Sequence, residues 1–463
     1  MKCFVNDADG AVGLDILARD DLGRWLDTIP DHQSRWVRSH DPGTSGMRHL
    51  VVPDRDGHVA RVLVIADEPV GMRSLAGLPV HLPASMDCRL ADDVDGDTAT
   101  ALALGWALGS YHFGRYRSSD RNTARLVFPG QADRAEVETV ARAIWLGRDL
   151  INTPAEDLGP EELAGEVAKL AERHRGELTT VVGDDLLEQD YPSIHAVGRA
   201  SSRQPRLVDM SWGDPGAYRV TLVGKGVCFD SGGLDIKPSG GMLLMKKDMG
   251  GAATAIALAS MIMDLDLPVR LRLIVPAVDN AISGNAFRPL DVFRTRKGLT
   301  IEIGNTDAEG RVILCDALAE ASSSGTDLLV DFATLTGAAR VALGPDLPAL
   351  FCNDDSLARD IADDCRRVGD PVWRLPLWSG YASDISSDVA DLRTTGSTPF
   401  AGAITAALFL EKFVDRTTPW AHIDLMGWNR CHRPGRPKGG EVMAARGLLE
   451  TIRARSTRHR EAS

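Results

Sequence analysis

Cysteine and histidine, frequent makers of metal sites, are nowhere clustered in this chain. Its seven cysteines are scattered, with no CxxC and no Cys/His group. That excludes zinc-finger spacing and a disulfide framework, and it reads as the reduced thiols of a cytosolic protein. An excess of positive charge is also missing: the formal net charge is −13, which argues against general binding to nucleic acid or anionic membranes. No apolar run is long enough for a bilayer, since the longest run of small apolar residues, Gly250 to Met263, is too short to span one. The first residues, Met1-Lys2-Cys3-Phe4-Val5-Asn6-Asp7, lack the apolar core of a signal peptide. Internal repeats and low-complexity segments are absent. What is present is an ordinary globular composition over 463 residues, enough for one large or two ordinary domains.

The pattern of elements is α/β throughout. Residues 1–130 read as a small N-terminal α/β domain, with helices expected at Leu14–Leu26 and Thr98–Leu108. Strands are expected at His49–Val52, Val59–Ala66 and Ala124–Phe128. His32, His40, His49, His58 and His81 are dispersed there and have no site spacing. Residues 131–164 read as a linker region whose helix shows apolar positions at Val137, Val140, Ala141, Ile144 and Trp145. Residues 165–463 read as a second, larger domain. Its alternating strands and helices predict an α/β/α sandwich with a mainly parallel central sheet.

Two stretches carry chemistry. In Asn305-Thr306-Asp307-Ala308-Glu309-Gly310-Arg311-Val312, two carboxylates stand one residue apart between a strand pattern (299–303) and a helix pattern (312–318). Strand-to-helix turns are where open α/β sheets place ligands. At period two, Asp307 and Glu309 can point the same way and share a divalent cation. The same residues can equally open a helix, with a capping Asn, Thr or Asp and Glu in the first turn. The other stretch runs from Val220 to Ala253. A short apolar strand feeds a glycine-dense loop holding Lys225, Asp230, Lys237 and Asp248, and a helix of small residues follows. It is not a phosphate loop, because there is no GxxxxGK[S/T].

Together, residues 224–253 and 305–318 resemble the two signature segments of the leucine aminopeptidase family, cytosolic dinuclear-metal exopeptidases. The segments 149–154, 333–338, 402–410 and 420–424 also follow the family, so the resemblance covers roughly residues 140–455. It implies two divalent metal ions held by Lys225, Asp230, Asp248, Asp307 and Glu309, with Asp230 and Glu309 shared. Zinc with manganese is the expected pair, and magnesium or cobalt are alternatives. The resemblance makes Lys225 a neutral ligand and Lys237 a protonated group that polarises the scissile carbonyl. It makes Arg311 the holder of a bicarbonate general base. It puts Met245, Thr334, Leu335 and Gly337 against the substrate, with Met245 suggesting an apolar, leucine-like first residue.

The implied activity is release of N-terminal residues from short peptides by metal-activated water. The implied assembly is a cytoplasmic homo-hexamer. This chain departs from the family pattern at Leu243 and Leu244, where acidic residues are common. It departs again at Lys247, where an aromatic is common, and at Leu290, where glycine is frequent. Cys228 and Cys315 flank the signature segments and read as small core residues. A dinuclear phosphoesterase, a DNA-binding regulator and an inactive scaffold are the rival readings. They are disfavoured in turn by the lack of histidine at the acids, by the acidic charge, and by the complete ligand set.

Overall fold

The computed structural model describes residues 1–42, 48–66, 69–117 and 123–462. The chain forms two compact units. One comprises Met1–Trp145 with Cys431–Lys438, and the other Leu146–Arg430 with Gly439–Ser463. The helix Arg134–Asn152 carries the chain from the first to the second. The expected lines at 130 and 164 thus fall on either side of the observed division, and a short C-terminal segment returns to the first unit.

In the first unit, six strands form one sheet in the order Phe4–Val5, Arg125–Val127, Asp87–Leu90, Val12–Ala18, Val59–Ala66 and His49–Pro53. All neighbours are parallel except the last pair. The helix expected over Leu14–Leu26 is not formed as such. Val12–Ala18 is an interior strand, and only Leu22–Leu26 is α-helical. An interior parallel strand is covered on both faces, so its apolar run has no alternation to separate it from a buried helix.

The second unit is built on a nine-stranded sheet whose centre is parallel. Trp420–Asp424, Leu328–Ala333, Tyr218–Gly224 and Val269–Asn280 lie side by side in that order. Gly226–Asp230 pairs in parallel with the far end of Val269–Asn280. Antiparallel strands extend both sides: Ala349–Cys352 beside Trp420–Asp424, and Arg206–Trp212 then Glu177–Val182 beyond Val269–Asn280. Helices Gly250–Asp264, Pro160–His174 and Ala445–Ala462 pack as one group, and Glu309–Ser323, Pro192–Gly198 and Gly402–Glu411 as another. The sheet lies between helical layers.

The composition of the Gly250–Asp264 helix explains how close that packing is. Every residue from Gly250 to Met263 is buried. A methyl group added to Gly251 would stand 2.1 Å from the Phe332 carbonyl oxygen, and one on Gly224 would stand 2.5 Å from Ala252 Cα. Backbone therefore meets backbone, and larger side chains would push helix and sheet apart.

Candidate metal centre

The site residues sit where parallel strands end. Tyr218–Gly224 delivers Lys225, Gly226–Asp230 delivers Asp230, and Val269–Asn280 delivers Asn280. Leu328–Ala333 delivers Thr334, and Trp420–Asp424 delivers Asp424. These are carboxyl ends, the edge at which open parallel sheets bind ligands. Asp307 lies in the single turn Thr306–Ala308, and Glu309 begins the long helix Glu309–Ser323. The capping expectation holds, and it leaves the two acids side by side. The Asn305 side chain accepts from the Asp307 N–H (2.7 Å) as a cap, while the two acids face the same centre.

Ligand atoms of Asp230, Asp307 and Glu309 lie within 4.8 Å of one another. Two lysines close the cluster. Lys225 Nζ is 2.7 Å from Asp248 Oδ2 and 2.9 Å from Glu309 Oε1, and it donates to the Thr334 carbonyl oxygen at 3.2 Å. Lys237 Nζ is 2.7 Å from Asp230 Oδ2 and also pairs with Asp307. All five expected ligands and Lys237 are thus brought together. Asp307 alone among the acids is solvent-exposed. Supporting donors fix the carboxylates. Gly232 N–H and Asn280 Nδ2 donate to Asp230 Oδ1, each at 2.9 Å, and Thr334 Oγ1 donates to Asp248 Oδ1 at 2.7 Å.

The electrostatics show a shortage of positive charge. Burial, then Asp248 and Asp307, push Asp230 up to about 6 against the pull of both lysines. Burial, then Asp230, raise Glu309 well above the carboxylate range. Glu309 Oε2 is buried with no hydrogen-bond partner. Asp248 behaves oppositely: burial would raise it, but Lys225 and Lys247 hold it at about 2. Burial would lower Lys225, but Asp248, Glu309 and Asp230 hold it above the ordinary lysine value. An oxygen-rich cage with an orphaned carboxylate oxygen and two acids pushed upward fits divalent cations.

Other expected residues fall nearby. Arg311 is buried; one of its Nη atoms donates to the Thr394 carbonyl oxygen, and its Nε has no partner. Met245 lies on the turn Met245–Lys247, directly before Asp248. The Leu335 N–H donates to Asp424 Oδ1 at 3.0 Å, and Gly337 opens the helix Gly337–Leu343. Cys228 and Cys315 are buried, and burial raises both thiols well above their ordinary value, so they are core residues. Sequence reasoning gave no role to Asn280 or Asp424, each the last residue of an apolar strand, or to Gly310. A methyl on Gly310 would stand 2.6 Å from Lys225 Nζ.

This arrangement can be set against known proteins. The cytosol aminopeptidase family catalytic domain matches residues 145–449, and the M17 aminopeptidase N-terminal domain matches residues 12–129. The chain belongs to the cytosol aminopeptidase family. It is thus a metal-dependent aminopeptidase of a family that uses two metal ions. A probable cytosol aminopeptidase of Geotalea uraniireducens is 37% identical over 418 residues, covering 86% of this chain and 82% of that protein. The crystal structure of the Coxiella burnetii cytosol aminopeptidase is 47% identical with a TM-score of 0.94, covering 98% of this chain and 100% of that one. The bottromycin maturation enzyme BotP in complex with Mn is 34% identical with a TM-score of 0.86, covering 97% and 100%. Among the described residues, no helix of this aminopeptidase is long and apolar enough to cross a membrane.

Proposed function

We propose that this aminopeptidase removes single N-terminal residues from short peptides in the cytoplasm. Lys225, Asp230, Asp248, Asp307 and Glu309 would hold its two divalent ions. The observation that carries the reading is the carboxylate cage closed by two lysines, with Glu309 Oε2 left unpartnered. When bound, the ions would supply a site for the free α-amine and a water acidic enough to attack at neutral pH. Zinc with manganese is the proposed pair; the Mn in the BotP structure agrees with manganese. Exopeptidase specificity follows, because an internal peptide bond offers no free amine.

The chain's own residues would do the rest. Burial lowers the Lys237 pKa, but Asp230, Asp307 and Glu309 outweigh it and hold it above the ordinary value. Lys237 therefore keeps its proton across the working range and can donate to the scissile carbonyl oxygen as negative charge develops there. The unpartnered Nε of buried Arg311 leaves a donor for an anion, which fits bicarbonate acting as general base. Thr334 and Gly337 would line the substrate site with Leu335.

Met245 by itself argues for a leucine-like first residue, and Lys247 on the same turn argues otherwise. DNA binding is disfavoured further, because the basic residues of the last helix are partly offset: Arg455 and Arg458 share Asp360, and Arg453 pairs with Glu450. A homo-hexamer is the proposed assembly, and light scattering that finds a monomer at micromolar concentration would remove it. The activity is tested by reconstituting the metal-free protein with Zn, Mn, Co or Mg and assaying aminoacyl-p-nitroanilides, dipeptides and p-nitrophenyl phosphate. Turnover of the phosphate alone would replace this reading with the phosphoesterase one.

A further inference from the structure

Lys247 shares its turn with Met245 and directly precedes Asp248. It is 1% exposed. Its backbone N–H donates to the Leu244 carbonyl oxygen at 3.0 Å, but among the described residues its ammonium makes no ion pair and no hydrogen bond. Its neighbours differ in this respect, since Lys225 and Lys237 are each clamped between two carboxylates. The adjacent Asp248 cannot serve Lys247 in the same way, because its oxygens engage Lys225 and Thr334.

A second cation lies close by. Arg340 stands on the helix Gly337–Leu343, and its Nη1 is buried with no partner. Its Nη2 comes within 3.9 Å of the point where a Gly337 side chain would begin, so the guanidinium folds back over the start of its own helix. Thr334 fastens that loop to the Lys247 turn, its hydroxyl lying 2.9 Å from the Asp248 carbonyl oxygen. Of the charges acting on Lys247, Asp248 favours its protonated form and Arg340, a neighbouring positive charge, opposes it. Asp248 offsets part of this charge, but among the described residues neither cation has an ion pair of its own, and incompletely balanced buried charge is costly. A bound carboxylate would relieve both at once.

We infer that Lys247 and Arg340 form an anion-binding wall beside Met245 that receives the side chain of an acidic first residue, so that peptides beginning with Glu or Asp are preferred over those beginning with Leu. This rests on the aminopeptidase reading, which places the first residue beside Met245. The first side chain fits better than the substrate's terminal carboxylate. Lys247 is next to the proposed ligand Asp248, whereas the terminal carboxylate moves away with each added residue.

The test uses the full-length, metal-loaded protein with the p-nitroanilides of Glu, Asp, Gln and Leu. Gln shares the shape of Glu without its charge. The wild-type kcat/KM for Glu should exceed that for Gln and for Leu by about tenfold or more, as expected when a charged donor site loses its partner. Lys247→Met and Arg340→Gln should each cut the Glu-to-Gln ratio by about tenfold, mainly through KM. Lys247→Met puts an apolar chain of similar length in a buried position, so it should fold. Arg340→Gln, at a part-exposed helical position, provides the second variant. Free L-glutamate should inhibit more strongly than L-glutamine, and Lys247→Met should abolish that difference. A wild-type preference for Leu or Gln, or a Glu-to-Gln ratio unchanged in both variants, would overturn the inference and leave the aminopeptidase reading standing. Cleavage of none of the anilides with any of the four metals would defeat both.

Discussion

Gly310→Ala is the sharpest test of how the metal centre is built. Gly310 is the second residue of the Glu309–Ser323 helix, where alanine would ordinarily help, by up to about 1 kcal/mol. Here the added methyl would stand 2.5 Å from Lys225 Cε, 2.6 Å from Nζ and 2.8 Å from Cδ. Those atoms belong to a side chain only 2% exposed and pinned by Asp248, Glu309 and the Thr334 carbonyl, so the lysine must leave its place. In the metal-free protein, Glu309 then loses its cation. Removing one partner of a buried pair costs about 3–5 kcal/mol. Glu309 is already pushed upward by burial, and it can take a proton instead, which caps the loss. The net expectation is destabilisation of about 1–3 kcal/mol in urea. Metal affinity should fall about 10–100-fold, the usual effect of disturbing a residue that orients a metal ligand. Gly240→Ala is the control, because its methyl meets nothing within 4 Å and should change neither quantity. Mass-spectrometric metal content after dialysis at limiting metal, together with urea melts, reads both effects. Wild-type affinity and turnover in Gly310→Ala would show that Lys225 has no part in holding metal.

Four further outcomes are expected. Lys225→Ala should lose affinity for one ion, whereas Lys237→Ala should keep both ions and lose about 10²–10³ in kcat; near wild-type kcat in the latter would remove its electrophilic role. Glu309→Gln should lose both metal and activity with the fold retained by circular dichroism, since Glu309 faces both lysine and acid partners; two ions still bound would refute its assignment. Burial raises buried Asp316 to about 6, against donors from Ser193 and Arg296. The folded state therefore binds this proton more tightly than the unfolded one, and metal-free protein should gain about 2 kcal/mol from this group as pH falls from 7 to 4; the gain should be missing from Asp316→Asn in paired urea melts. Leu290 adopts φ +69, a left-handed conformation that costs a non-glycine residue about 1 kcal/mol or more, so Leu290→Gly should match or exceed wild-type stability by up to about 1 kcal/mol in the same assay.

The acids at 307 and 309 could be read from sequence because they interrupt a change of period, from strand to helix, within ten residues. Lys225 could not. A lysine becomes a ligand only when buried among acids, and its partners Asp248 and Glu309 come from other segments. Resemblance supplied that residue where spacing could not. Asn280 and Asp424 escaped for a related reason. Each ends an apolar strand, and only the parallel pairing of distant strands brings them to one edge. The Leu14–Leu26 error has the opposite cause, because a strand buried between two parallel neighbours shows the same apolar run as a buried helix. Lys247 reads from the sequence only as a departure from the family pattern. Its meaning depends on partners that it lacks, and a sequence cannot show that.

The two lysines also explain how one cage can fold without metal and react with it. Asp230, Asp248, Asp307 and Glu309 contribute four negative charges, and Lys225 and Lys237 return two, so the metal-free centre stands at minus two. Burial raises both Asp230 and Glu309, so proton uptake on these two acids eases that deficit as pH falls. Ions held by these residues would displace such protons and that of Lys225, so binding should weaken as pH falls. With two divalent ions bound and Lys225 neutral, four positive charges and the one on Lys237 face four negative ones. The centre then stands at plus one. That reversal would turn a site that repels anions into one suited to the anions proposed for it: the developing oxyanion at Lys237, a bicarbonate at Arg311 and an acidic side chain at Lys247 and Arg340. On this argument, metal loading and affinity for free L-glutamate are linked, and each should strengthen the other by the same factor.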